Sequence, residues 1–256
     1  MVINRINIKT YILCLLSFLT LLGTSAETSG KQKENAGFIQ KLEQGEKVKI
    51  AALGTSLTGG TWRWFDVMKE WLDEEYPGQI SYQNLGVGAS ASMTVPLMKG
   101  NKYTWKKCGV DRIPEAIAAK PDVVFIEFTV NDAYIPYNIS VNDSRMNLEF
   151  MIHSLKEANA EVEIVLQTMN VILDMPELNH TESTNRLDLP KYIKMYRQVA
   201  KKNKLQIIDH YPNWKKFLKK EGRDKYIEVV TDGVHPNLEG YRKILLPELK
   251  KQLLGK

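Results

Sequence analysis

The 256-residue chain is short of cysteine, of net charge and of long apolar runs, and each shortage excludes something. Its two cysteines are Cys14, inside an N-terminal apolar run, and Cys108. Processing of that run would leave one thiol and no possible intramolecular disulfide. Stability must then come from a packed core, for which roughly 230 residues suffice in one domain. The formal charge of +5 falls to +3 once Arg5 and Lys9 are removed with residues 1–26, a segment without acids. So mild a surplus, spread in short pairs such as Lys215-Lys216 and Lys219-Lys220, reads as solvated helix faces and not as a nucleic-acid surface. Past residue 22 no apolar stretch nears the ~20 residues of a membrane-spanning helix, so no membrane insertion of the mature chain is expected. No internal repeat occurs, and no low-complexity segment beyond the polar stretch that follows residue 26. The Gly-x-Ser-x-Gly elbow of α/β-hydrolases is also missing, because Thr58 stands where its second glycine would be.

What is present begins with a targeting pattern. Arg5 and Lys9 precede an apolar run over 11–22, and Thr24-Ser25-Ala26 offers small residues for cleavage. Residues 1–26 therefore read as a signal peptide, and the mature protein as secreted or periplasmic. Tyr11-Ile12-Leu13 before Cys14 lacks the small residue of a lipoprotein cleavage site, which favours a soluble product. Residues 27–46 read as a polar leader with a short amphipathic helix around Phe38, Ile39 and Leu42. From residue 47 onward strands alternate with helices. Strands are expected at 48–53, 80–84, 122–128, 162–168 and 205–209. Helices are expected at 62–75, 113–119, 147–158, 189–203, 214–221 and 238–254. Alternation of this kind implies βαβ units, a parallel five-stranded sheet and a three-layer α/β/α sandwich over 47–256. Two connections, 93–110 and 169–188, are longer than the scaffold requires, and long loops in compact domains tend to carry function.

Several chemically able residues fall at one edge of that sheet. Gly54-Thr55-Ser56 follows the first strand and precedes a helix, so Ser56 either caps the helix or presents a hydroxyl where open α/β sheets bind ligands. Asp232-Gly233-Val234-His235 precedes the last helix, and a spacing of three can turn both side chains to one side as base and orienter. Of the other histidines, His153 and His180 lack such a partner, and His210 at a strand end is the one competitor as base. Asn84-Leu85-Gly86-Val87-Gly88-Ala89-Ser90 follows the second strand and Thr129-Val130-Asn131-Asp132 the third. Each reads as a turn or as a source of N–H donors for a developing oxyanion.

Taken in order, these four blocks resemble the SGNH hydrolases, the GDSL esterase and lipase superfamily, over about residues 47–254. The resemblance implies a flavodoxin-like sandwich, Ser56 as nucleophile, and His235 and Asp232 as its partners. It also implies an oxyanion hole made by the N–H of Ser56, the N–H of Gly88 or Ala89, and the side chain of Asn131. Thr55 departs from the usual Asp and Thr129 from the usual Gly. No metal and no organic cofactor are implied. The family spans esterases, lipases, thioesterases and acyltransferases, so the substrate has to be read elsewhere. Aromatics near the blocks, Trp62, Trp64, Trp105 and Tyr134 with Tyr103 and Tyr137, suit stacking on sugar rings. They point to an O-acylated, above all O-acetylated, carbohydrate, either a small ester or a polysaccharide. A lipid or small acyl ester is the alternative, and a non-catalytic glycan-binding protein is the reading from another class. Nothing in the chain indicates an oligomeric state.

Overall fold

The structure is a computed structural model that describes residues 36–99, 102–106 and 109–255, with backbone alone for 96–99 and 102–106. The predicted signal peptide and Cys108 lie outside the described residues.

Five parallel strands form the sheet: β1 Val48–Gly54, β2 Ile80–Asn84, β5 Val123–Glu127, β6 Glu163–Thr168 and β7 Gln206–Asp209, in the order β2-β1-β5-β6-β7. The fold is the expected α/β/α sandwich. Side chains alternate across the strands, so each strand feeds two cores. Ile50, Ala52 and Phe125 pack with α2 (Trp64–Glu75), whose Trp64, Phe65, Met68 and Leu72 face them. The other face carries Ala51, Leu53, Val124 and Ile126. They meet Leu148, Met151 and Leu155 of α5 (Val141–Ala158) and Tyr196 and Val199 of α6 (Leu189–Asn203). Strands buried on both faces read as continuous apolar runs, as 122–128 nearly does.

Four expectations need correction. The helix expected in the leader, α1 (Gly37–Glu43), is an integral part of the domain: Phe38, Ile39 and Leu42 are buried in the first core. Its start is tied down by Ala36 N–H on the Leu253 carbonyl and Phe38 N–H on Glu163, so the domain does not begin at 47. Connection 93–110 holds an antiparallel hairpin, β3 (Val95–Lys99) with β4 (Lys102–Lys106), that was not expected. Pro96 lies inside the first arm, which a two-stranded hairpin tolerates because each of its strands is an edge. α5 starts six residues earlier than expected, at a capping box in which Ser140 and Asp143 satisfy each other's backbone N–H groups. The helix expected at 214–221 runs over Tyr211–Val229, helical on both sides of Gly222, whose φ of 83° breaks it locally.

α3 (Ile113–Ala118) and α4 (Thr129–Asp132) are short, and α7 is Tyr211–Val229. The chain closes with α8 (Leu238–Gly240), a π-turn over Tyr241–Leu245 and α9 (Leu246–Leu253). What matters for the site is the register: Gly54 of β1 sits opposite Glu127 of β5, so the loops after both strands leave the sheet side by side.

Candidate active site

Ser56 lies two residues past the end of β1 in a tight turn closed by Thr58 N–H and Gly59 N–H on the Thr55 carbonyl. The glycine loop after β2 packs directly against this turn. A Cβ on Gly59 would stand 2.3 Å from the Gly86 carbonyl oxygen, which only glycine permits. Asn84 bridges the two, donating to the Thr58 carbonyl at 2.9 Å and accepting from Gly86 N–H at 2.9 Å.

The segment before α8 brings its histidine to the same place. His235 Nε2 is 2.7 Å from Ser56 Oγ, and Nδ1 is 2.6 Å from Asp232 Oδ2. The other carboxylate oxygen accepts from the backbone N–H of Val234 at 2.9 Å and of His235 at 2.7 Å. Burial alone would raise the Asp232 carboxyl; the His235 ring and these two N–H donors outweigh it and hold the group below the ordinary carboxylate range. An ionised carboxylate only accepts, so Nδ1 carries the imidazole proton and Nε2 is left to accept from Ser56. The turn is braced from the long connection: Asn170 donates to the Val234 carbonyl at 2.8 Å, and Leu173 N–H donates to the Gly233 carbonyl at 2.9 Å.

Of the expected oxyanion donors, Ser56, Ala89 and Asn131 line one pocket of about 310 Å³, whereas Gly88 is not among its lining residues. Ala89 takes a left-handed φ of 56°, and its carbonyl is held by Tyr137 Oη at 2.9 Å. Asn131, on α4 at the end of β5, is buried, and its Nδ2 donates to the Ser90 carbonyl at 2.8 Å. One amide proton therefore ties two loops together while the other is left for the pocket. Asp132 next to it is also buried, accepting from Ser92 N–H at 2.8 Å and from the Ser144 hydroxyl. Burial, partly offset by these bonds, drives its carboxyl up to about 6.

The aromatic expectations divide. Tyr134 lines the pocket, as does Tyr137, whose ring meets it edge-on at 5.0 Å. Trp64 does not: it is 0% exposed, packed on Phe65 and Phe125, with Nε1 donating to Thr58 Oγ1 at 2.9 Å. It is a core residue, and its position just after Ser56 in sequence reflects the first turn of α2 and not the site. Trp62 is 54% exposed but is not among the pocket's lining residues. The backbone of Trp105 lies in β4, and its side chain is outside the described ones. His210 is no competitor as base. It is buried against Gln167, and burial pushes its ring down to about 3, so it stays neutral and apart from Ser56.

Three pocket residues were not singled out from the sequence: His180, Glu182 and Arg186, all from the connection 169–188. Arg186 organises this side. Its Nε donates to the Val130 carbonyl at 2.9 Å, its Nη1 to the Glu182 carbonyl at 3.0 Å and to the Glu182 carboxylate, and its guanidinium lies 4.5 Å from the Tyr134 ring centre. The unusual length of the loop was the only sequence signal for them.

Among the described residues no group of three or more His, Cys, Asp or Glu side chains is arranged to hold a metal ion. Likewise, among them no helix is long and apolar enough to cross a membrane. A hydroxyl bonded to an imidazole that is itself bonded to a carboxylate, beside N–H donors at the end of a strand, is equipped for acyl transfer.

Comparison with known proteins points the same way. The model of the GDSL-like lipase/acylhydrolase family matches residues 52–243. An acetylxylan esterase of Xylanibacter ruminicola is 28% identical over 224 residues, covering 78% of this chain. The chain spans only 42% of that relative's length. Among solved structures, a lipase/acylhydrolase of Enterococcus faecalis is similar with TM-score 0.58 at 23% identity, over 80% of this chain and 95% of that one. An acetylxylan esterase of Geobacillus stearothermophilus is similar with TM-score 0.59 at 18% identity, over 86% of this chain and 96% of that one. At such identities the two structures speak for the fold alone.

Proposed function

We propose that this chain, which belongs to the GDSL-like lipase/acylhydrolase family, is an ester hydrolase that removes O-acetyl groups from a carbohydrate through Ser56, His235 and Asp232. The observation that carries this reading is the unbroken chain Asp232–His235–Ser56, at 2.6 and 2.7 Å, opening into a polar pocket.

In this mechanism His235 Nε2 takes the Ser56 proton as Oγ attacks the ester carbonyl carbon. Charge on the carbonyl oxygen is met by the N–H groups of Ser56 and Ala89 and the second Asn131 amide proton. The protonated His235, stabilised by Asp232, then gives its proton to the departing sugar oxygen. Water repeats the sequence on the acyl-enzyme, with His235 as base, and releases the acid.

The choice of a carbohydrate over a lipid rests on the lining. Apart from Ala89 and Val234 the pocket residues are polar, charged or tyrosine, the last able to pack on a sugar face while bonding its hydroxyls. A long acyl chain needs an apolar groove instead. The name of the Xylanibacter ruminicola relative supports the same direction. An exported protein, as residues 1–26 suggest, would meet such polymers outside the cell.

The test is acetate release from acetylated xylo-oligosaccharides and other acetylated glycans, set against hydrolysis of long-chain p-nitrophenyl esters. Acetate release with little long-chain turnover is expected. Preference for long chains would replace the reading with a lipase, and absence of any turnover would leave only a glycan-binding role.

A further inference from the structure

Among the buried ionisable groups that mechanism leaves unused, one adjoins the nucleophile. Glu127, the last residue of β5, is 0% exposed and lies directly beneath the turn that carries Ser56. Its Oε1 accepts from Thr55 N–H at 2.7 Å, from Thr55 Oγ1 at 3.0 Å and from Thr58 Oγ1 at 2.6 Å, and Thr55 Oγ1 is 3.3 Å from Oε2. The donors thus bracket Ser56 in sequence, one residue before it and two after.

The direction of these bonds follows from what the hydroxyls do with their lone pairs. Thr58 Oγ1 accepts from Trp64 Nε1 at 2.9 Å, and Thr55 Oγ1 accepts from Leu57 N–H at 3.2 Å. Each hydroxyl has its acceptor side engaged, so its proton is directed at Glu127. Three donors converging on one oxygen suit a carboxylate and not a protonated acid or an amide. Gly54 makes room for it: a Cβ there would meet Thr58 Oγ1 at 2.2 Å and Glu127 Oε1 at 2.5 Å.

As a stabilising device the arrangement is a poor one. The charged group that shifts Glu127, Asp132, is itself acidic, and the bonds the Glu127 carboxylate accepts come from neutral threonines. Burial drives its carboxyl up to about 7, Asp132 adds to the rise, and the threonine bonds only partly offset it. A buried carboxylate held by neutral donors costs stability. What it supplies is geometry: short, charge-assisted bonds to both flanks of one residue, beneath the surface.

We propose that Glu127 is a positioning residue whose buried carboxylate sets the turn that presents Ser56 to His235 and to the substrate carbonyl. The inference rests on Ser56 being the nucleophile. Thr55, which donates both its N–H and its hydroxyl, is then one of the groups through which Glu127 acts.

The test compares Glu127→Gln, Thr58→Val and Thr58→Ser on p-nitrophenyl acetate, with Ser56→Ala alongside. Glu127→Gln keeps the shape but turns an amide nitrogen or a weaker acceptor toward three donors. Its kcat is expected to fall roughly 10- to 100-fold with KM within about threefold, since misplacement of a reacting atom by about 1 Å costs that order. Its thermal midpoint at pH 8 should not drop, because a buried charge has been removed. Phosphonylation of Ser56 by a fluorophosphonate should slow in step with kcat. Thr58→Val should lose part of the same activity, and Thr58→Ser, which keeps the hydroxyl, should regain most of it. A folded Glu127→Gln enzyme with wild-type kcat would overturn the proposal. If that variant does not fold, the threonine pair decides, and wild-type kcat in Thr58→Val overturns it equally. Turnover surviving in Ser56→Ala would instead overturn the nucleophile assignment on which both readings stand.

Discussion

The two walls of the pocket are built on different principles. The wall that holds Ser56 is fixed from within: a turn locked by its own carbonyl, the glycine loop pressed against it, and the buried Glu127 carboxylate beneath. The other wall is built from side chains of one long loop. His180, Glu182 and Arg186 reach the pocket from the connection 169–188, and the Arg186 guanidinium links Val130, Glu182 and Tyr134. Even the loop's own shape leans on one side chain, Asp174, which accepts from Ser183 N–H, Thr184 N–H and the Thr184 hydroxyl. On the proposed reading, chemistry and choice of substrate are mounted separately. Placement of the proposed nucleophile rests on buried bonds, whereas the second wall depends on a few side chains that substitution can change without touching the turn.

The comparison is broken most severely by removing the reacting atoms. Ser56→Ala or His235→Ala should lower kcat by about 10⁴ or more, while the thermal midpoint moves by no more than a few degrees. Asp232→Asn should be damaging to a smaller degree. Activity above a tenth of wild type in either of the first two would end the assignment. Next in size is Asn131→Ala, expected to reduce kcat by roughly 10²–10³. Because Nδ2 also satisfies the Ser90 carbonyl, the midpoint should fall too, unlike in Ser56→Ala. An unchanged kcat with a lowered midpoint would reduce Asn131 to a brace between loops.

Arg186→Ala sharpens the comparison. Loss of the guanidinium should free Tyr134 and Glu182, cutting kcat/KM on an acetylated xylo-oligosaccharide about tenfold and on p-nitrophenyl acetate less than threefold. Equal losses on both substrates would mean the second wall also positions the reacting atoms.

The smallest effect is in pH-dependent stability. Glu127 is raised to about 7, so between its ordinary value of about 4.5 and about 7 the folded protein binds more protons than the unfolded one. Its contribution is fully present below that window and is lost as pH rises through it. Asp132, raised to about 6, acts in the same sense, while neutral His210 acts oppositely below about 6.5. The difference between two proteins isolates Glu127: the midpoint of Glu127→Gln should gain on wild type from pH 5 to pH 8. A constant difference would contradict the buried charge.

Much of the first wall was legible because it is written in local sequence. The apolar runs 48–53 and 122–128 mark the strands, which end at Gly54 and Glu127, and Asp232 and His235 are near enough for one turn to orient both. The left-handed backbone of Ala89 and its bond from Tyr137, 48 residues away, leave no local pattern in the sequence, which could not choose between Gly88 and Ala89. The second wall was nearly invisible. Arg186 acts on Val130, 56 residues away, and no periodicity records that contact. Trp64 was misread for the converse reason: nearness in sequence to Ser56 placed it at the site, while the helical period of α2 turned it into the core. Glu127 read as one more residue of a buried strand, and only the register with Gly54 reveals what it faces.

The central claim, that Ser56 is the activated nucleophile, is tested most directly by treating the protein with a fluorophosphonate and mapping the adduct by mass spectrometry. One label per chain on the peptide containing Ser56 is expected, formed at a rate that collapses in His235→Ala and accompanied by complete loss of acetate release. A label on another residue, or acetate release that continues after stoichiometric modification of Ser56, would contradict it.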